Sequence, residues 1–250
     1  MTAVAVAGTG VIGRAVADAL RNGDVAGCTL VATLGSRTPE DEVDAALARA
    51  AVLVEATTVE AARTVVPRAV AQGLDVVVCS CGVLAEPGVV ERLVSGPGRL
   101  VLPAGAIGGF DVLTAATRAG AGRAFVRHTV TKRPAALGVA GPVAAAVEVF
   151  RGSAREAALA FPRTSNSSVA LAFATVGLDR VEVVVRADPD VDATRHHVSF
   201  SSPVGDYELS FVNAVDTASG GRTSQITAWS VRETLAGLAA GVGPGAVVLS

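Results

Sequence analysis

Over the first hundred residues, short runs of β-branched and apolar residues alternate with stretches of helical period. Strand-length runs fall at 4–7, 29–34, 52–55, 75–80 and 99–102, and helical patterns lie between them at 11–20, 41–50, 59–71 and 87–95. This grammar predicts an α/β fold with a parallel sheet and crossover helices. Pro67 falls inside the third helical pattern and predicts a kink or a late start there. After the loop at 102–109 the grammar changes. A helix at 110–119 leads into half-exposed alternating strands at 125–132, 180–186 and 207–211. Helices at 154–160 and 167–174 should cover one face of that sheet, the first opened by a capping box from Ser153 to Glu156. A last helix at 224–239 follows the turn-rich segment 219–221 and has no strand of its own, so it is expected to pack back on the first domain. The expected division is 1–108, then an α+β domain at 109–222 with a mixed or antiparallel sheet, then 223–250.

Composition narrows the function classes. Of 250 residues 50% are hydrophobic and 18% charged, which implies extensive burial. The 21 basic and 23 acidic residues are interspersed for a net charge of -2, so no basic field exists to draw nucleic acid or an anionic membrane. The most apolar stretch, 135–147, is broken by Gly138, Gly141 and Pro142 and falls short of the ~20 residues a spanning helix needs. No signal-peptide pattern precedes the first strand, so a cytoplasmic location is expected. Cys28, Cys79 and Cys81 are an odd number without metal-ligand spacing; they read as buried thiols in a reducing compartment, with no metal site.

The first chemical motif is Gly8-Thr9-Gly10-Val11-Ile12-Gly13, a G-x-G-x-x-G that follows a strand and opens a helix. Gly8 would permit the tight turn, Gly10 the approach of a pyrophosphate, and Gly13 the packing of helix on strand. The N–H groups of Val11, Ile12 and Gly13 at the helix start would face the phosphates. The N-terminal sheet is therefore expected to be of Rossmann type. An acidic residue about 20 positions on, which would bind the ribose of NAD, is missing. The second strand ends instead in Gly35-Ser36-Arg37-Thr38. Ser36 and Arg37 suit a 2′-phosphate, which leans towards NADP or dual use over NAD alone. The alternative for Arg37 is a solvated loop residue.

Further segments carry unusual chemistry: Ser80-Cys81-Gly82, then 102–111 with Pro103-Ala104-Gly105-Ala106-Ile107-Gly108-Gly109, then Phe161-Pro162-Arg163-Thr164-Ser165-Asn166, and Thr194-Arg195-His196-His197-Val198. Together they resemble the L-aspartate dehydrogenase family through nearly the whole chain, most specifically in the 103–109 loop. The resemblance implies NAD(P)-dependent oxidative deamination of L-aspartate to oxaloacetate and ammonia through an imine, or the reverse amination. It gives the catalytic role to His196 and cofactor contacts to Ala106 and Asn166. Lys132 and Arg133 stand where the family has a basic pair before proline, either a substrate clamp or a solvated strand end; Arg163, Arg222 and Ser224 are weaker candidates. Thr194, Thr164, Ser167 and Ser168 depart from the family pattern around the pocket and leave the substrate open.

The residues themselves point the same way. Deamination needs a group that takes and returns a proton near neutral pH, and the chain has three histidines, His128, His196 and His197. On an alternating strand His196 shares a face with Val198 and Phe200, whereas His197 shares the other with Arg195 and Ser199. His196 is thus expected to point into a covered cleft, as a proton carrier or as a satisfied structural histidine. His128 reads as structural or surface. Three functions remain open: an aspartate dehydrogenase, a dehydrogenase or reductase for another amino acid or imine, and a dinucleotide-binding sensor that turns nothing over. The expected partners are a small-molecule substrate and, through an exposed sheet edge, a second copy in a homodimer.

Overall fold

The computed structural model describes residues 1–139, 141–216 and 223–242. It divides into two units, Met1–Gly105 with the chain from Thr227 onward, and Ala106–Ile226.

The first unit strings together β1 (Thr2–Ala7), α1 (Val11–Arg21), β2 (Cys28–Leu34), α2 (Glu40–Arg49), β3 (Val52–Glu55), α3 (Val59–Ala71), β4 (Asp75–Val78), a 3-10 turn (Cys81–Ala85), α4 (Val89–Val94) and β5 (Arg99–Val101). The five strands form an all-parallel sheet in the order β2-β1-β3-β4-β5. Because helices cover a parallel sheet, its central strands read as unbroken apolar runs rather than alternating ones, and all four residues of β3 are buried. The strand order reverses between β1 and β3, the place where open α/β sheets bind ligands at their carboxyl ends. Helix α3 runs unbroken through Pro67, against the expected kink. Pro67 lies on the exposed side, where its ring meets solvent and only one ladder hydrogen bond is forfeited. The helix expected at 87–95 forms as the short α4, entered through Gly88 with a left-handed φ of 72°, and the 3-10 turn at Cys81–Ala85 precedes it without having been expected.

The second unit holds α5 (Phe110–Ala119), β6 (Phe125–Lys132), α6 (Pro134–Leu137), β7 (Val147–Ser153), α7 (Ala154–Ala160), α8 (Asn166–Ala174), β8 (Val181–Ala187), β9 (Thr194–Ser202) and β10 (Gly205–Asn213). Its mixed sheet has the order β10-β9-β6-β8-β7, with β6 and β8 the parallel pair. Strand β7 has no counterpart among the expected elements. Mostly exposed or half-buried, it lacks the clean alternation that marks its neighbours. The capping box forms as expected: Ser153 Oγ accepts from Glu156 N–H while the Glu156 carboxylate accepts from Ser153 N–H. Helices α5, α7 and α8 pack on this sheet.

Helix α9 (Ile226–Ala240) belongs to the first unit's core. There its buried Ala228, Val231 and Leu235 join Val4, Val16, Leu20 and Cys28. The turn at 219–221 lies outside the described residues. Among the described residues no helix is long and apolar enough to cross a membrane.

Candidate functional site

In the first unit the glycine motif makes a cradle at the end of β1. Gly8 has a φ of +115°, and a Cβ there would sit 2.2 Å from Ala56 O; one on Gly13 would sit 2.0 Å from Gly8 O. Both positions demand glycine so that turn, strand and helix can close on each other. Gly10 differs, because a Cβ there meets no protein atom within 4 Å. That open side is what a pyrophosphate needs. Gly10 caps α1 without a side-chain hydrogen bond, so the N–H groups of Val11, Ile12 and Gly13 begin the helix with no intrahelical acceptor. No acidic residue occupies that first turn. The cradle therefore fits a dinucleotide phosphate in both shape and charge.

The turn after β2 lies beside it: Gly35 approaches the Thr9 methyl, at 3.4 Å from a built Cβ, and Thr38 Oγ1 accepts from Gly35 N–H. Ser36 and Arg37 are exposed on this turn. One residue escaped the sequence reading. Glu55 ends β3 fully buried, and its carboxylate accepts from the N–H and hydroxyl of Thr57 at 2.7 Å and from those of Ser80 at 2.9 Å. It ties together the loops leaving β3 and β4 at the carboxyl end of the sheet. A lone acid closing the apolar run Val52-Leu53-Val54 was the signal.

In the second unit the alternation of β6 and β9 places Val126, His128, Val130 and Lys132, with Thr194, His196, Val198 and Phe200, on the buried side. Antiparallel pairing sets Val130 opposite His196 and His128 opposite Val198. The two imidazoles are thus diagonal neighbours, His128 Nε2 lying 3.1 Å from His196 Nδ1. His128 Nδ1 is 2.9 Å from Ser168 Oγ on α8. His128 is therefore neither at the surface nor isolated. The remaining nitrogen of the chain, His196 Nε2, is buried and has no hydrogen-bond partner among the described residues.

Burial pushes the His128 imidazole down to about 3, with the His197 charge adding to the effect. Burial likewise holds His196 well below its ordinary range, helped by His128 and by the Lys132 ammonium. Both rings are neutral at neutral pH. Lys132, 5% exposed, is no solvated strand end; burial lowers it to about 8. Arg133 turns its Nε–H to the Val191 carbonyl at 2.6 Å. His197 faces the open side, 2.7 Å from the Glu208 carboxylate.

The 106–109 loop begins this unit. The Ala106 carbonyl accepts from Asn213 Nδ2 at 2.6 Å, and Gly109, with φ +78°, caps α5 where a Cβ would press on Leu209. Asn166 is the first residue of α8, two positions before Ser168. Thr194 and Ser224 are buried, Arg163 is exposed, and Arg222 lies outside the described residues. All three cysteines are buried and unpaired with one another, and burial raises Cys81 to about 12, a value that leaves it an inert thiol.

Comparison with known proteins gives two family matches: the C-terminal domain of aspartate dehydrogenase over residues 111–238, and the NAD-binding domain of homoserine dehydrogenase over residues 8–96. An L-aspartate dehydrogenase of Pseudomonas aeruginosa is 39% identical over 179 residues, 67% of this chain and 66% of that protein. The alignment thus spans just under two thirds of that relative. One of Ralstonia nicotianae is 36% identical over 73% of the chain and 72% of the relative. One of Bordetella bronchiseptica is 32% identical over 96% of each. Among solved structures, an aspartate dehydrogenase from Thermotoga maritima covers 100% of both chains at a TM-score of 0.72 and 23% identity, a likeness of fold.

Proposed function

The chain belongs to the aspartate dehydrogenase family, and from that premise we propose that it oxidatively deaminates L-aspartate to oxaloacetate and ammonia through an imine, or runs the reverse amination. The observation that carries this reading is that one buried face holds both His196, whose Nε2 has no hydrogen-bond partner among the described residues, and the ammonium of Lys132. A buried nitrogen without a partner costs stability, and a reacting proton is what would satisfy it. The dinucleotide, NAD or NADP, supplies the hydride acceptor for the substrate Cα.

His196 Nε2 takes a proton from the water that attacks the imine carbon, and the imidazolium so formed returns it to the departing amine. Lys132 offers a cation to a substrate carboxylate, with Arg133 at the same strand end as a second candidate. Gly8, Gly10 and Gly13 shape the phosphate cradle, and the first-turn N–H groups of Val11, Ile12 and Gly13 donate to it. Ala106 and Asn166 are proposed to contact the nicotinamide side of the cofactor. Ser36 and Arg37, exposed beside Thr9, would receive a 2′-phosphate, which favours NADP or dual use. The buried free cysteines fit a reducing, cytoplasmic setting. The open face and edges of the second sheet suit a homodimer, to be checked by light scattering.

The test is formation of reduced nicotinamide from L-aspartate with each dinucleotide. Replacing His196 by Ala should lower kcat by about 10²–10⁴-fold and leave dinucleotide affinity unchanged. Absence of turnover in both directions would sink the reading. A second reading keeps the chemistry and changes the substrate, and it rests on Thr194 and Ser168, hydroxyls buried beside the histidines where the resemblance has other residues. Turnover of a different amino acid in preference to aspartate would select it.

A further inference from the structure

Behind His196 the buried face carries a second histidine to which the proposed chemistry gives no task. A neutral imidazole has one N–H and one lone pair, so two ring nitrogens 3.1 Å apart need one of each between them. Two proton arrangements satisfy the chain from Ser168 through His128 to His196. In the first, both rings carry their proton on Nε2, the Ser168 hydroxyl donates to His128 Nδ1, and His196 carries an N–H on its remaining nitrogen. In the second, both rings carry it on Nδ1: His196 donates to His128 Nε2, His128 donates to Ser168 Oγ, and His196 Nε2 is left with a lone pair. A general base needs the second.

We propose that His128 is a positioning residue, oriented by Ser168, that holds His196 in the Nδ1–H form with the lone pair left on Nε2. The inference rests on the reading of His196 as the proton acceptor. Three elements converge to build the chain: β6 supplies His128, β9 supplies His196 and α8 supplies Ser168. The rings are nearly parallel, at 21° with centroids 5.2 Å apart, so packing restrains rotation of either one. In catalytic triads a carboxylate performs this duty and stabilises the imidazolium as well. Here the partner is neutral, so it sets tautomer and orientation without adding the negative charge that would raise basicity. Lys132 on the same face adds positive charge. His196 is thereby kept as a weak base that is unprotonated before substrate arrives and gives its proton up readily.

The tautomers can be read from nitrogen chemical shifts of the full-length protein labelled with ¹⁵N-histidine, near neutral pH and without substrate. The expected result is Nδ1–H on both His128 and His196; Nε2–H on either ring, or an imidazolium, overturns the proposal. This measurement needs no turnover, so it stands even where aspartate proves not to be the substrate. Kinetics with the substrate that the wild-type protein turns over supply the second arm. His128→Phe should lower kcat by about 30-fold or more while each KM stays within about threefold. His128→Gln, whose amide oxygen can accept the His196 Nδ1–H, should recover to within about fivefold of wild type. Equal losses in the two variants, or a loss confined to KM, overturn the proposal. Should His128→Phe fail to fold, Ser168→Ala decides: loss of the Nδ1–H form at His128 with a kcat about three- to tenfold lower supports it, and unchanged tautomers with unchanged kcat refute it.

Discussion

The glycine cradle of the first unit and the histidine face of the second solve opposite problems. At the cradle the working groups are backbone N–H donors, present at every helix start, and the sequence contributes by removing side chains so that a ligand can approach them. On the histidine face the working groups are side chains, and the fold contributes by stripping water from them. The cradle costs little, since Gly10 and the α1 terminus strain nothing. The face costs a good deal, because two imidazoles and an ammonium are held where their charged forms are penalised. On the proposed reading, binding is obtained by leaving space open, and proton chemistry by closing it.

Five substitutions would sharpen or break that contrast, beginning with the strongest. Lys132→Met exchanges a buried cation for an isosteric apolar chain; kcat/KM for aspartate should fall by about 10²–10³-fold with the dinucleotide KM unchanged. The wild-type kcat/KM should also decline as pH rises through about 8, where Lys132 loses its charge, and a profile flat across that range would remove Lys132 from substrate binding.

Next comes the cradle itself. Gly10→Ala meets no protein atom and should leave the melting temperature unchanged while weakening dinucleotide binding by about 10–100-fold. Gly8→Ala collides with the Ala56 carbonyl at a strained φ and should cost about 3 kcal/mol or more of stability. Equal destabilisation by the two in a urea titration would refute the division of labour among the glycines.

A smaller effect is expected at the turn after β2. Arg37→Ala should raise KM for NADP about tenfold and leave KM for NAD alone. The last test is stability against pH. Unfolded imidazoles titrate near 6.5, whereas burial takes His128 down to about 3 and His196 in the same direction. The unfolded chain therefore binds protons first. Stability from these rings is fully present above about pH 6.5 and is lost as pH falls, by up to about 1.4 kcal/mol per pH unit for each ring. His128→Gln should flatten the acid slope of urea midpoints; an unaltered slope would place the acid sensitivity elsewhere.

The same contrast explains what could be read from the sequence. Glycine motifs, caps and parallel-strand runs are local, and the first sheet, the capping box at Ser153 and the fold class of both units were legible in them. Strand alternation also placed His196 beside Val198 and Phe200 on the buried side. Applied to 125–132, the identical rule puts His128 with Val126 and Val130, but which face of a strand is covered depends on helices far along the chain. Ser168 and His128 are 40 residues apart, and only the packing of α8 on the sheet joins them. Strand β7 was missed for a related reason: its pairing with β8 defines it, not its own pattern. Pro67 was over-read because an exposed interior proline can be tolerated where the rest of the helix face is well packed.

Helix α9 has a consequence for how the molecule is made. Val231 and Leu235 sit in the middle of the core that β1 and α1 begin, yet they leave the ribosome only after the whole segment Ala106–Ile226 has been made. The segment Ala106–Ile226 is contiguous and can complete itself during synthesis, whereas the nascent N-terminal sheet must wait with one apolar flank uncovered. A chain stalled before residue 227 would therefore expose a sticky surface on a finished-looking sheet, and chaperone demand should peak over that interval of translation rather than at its start.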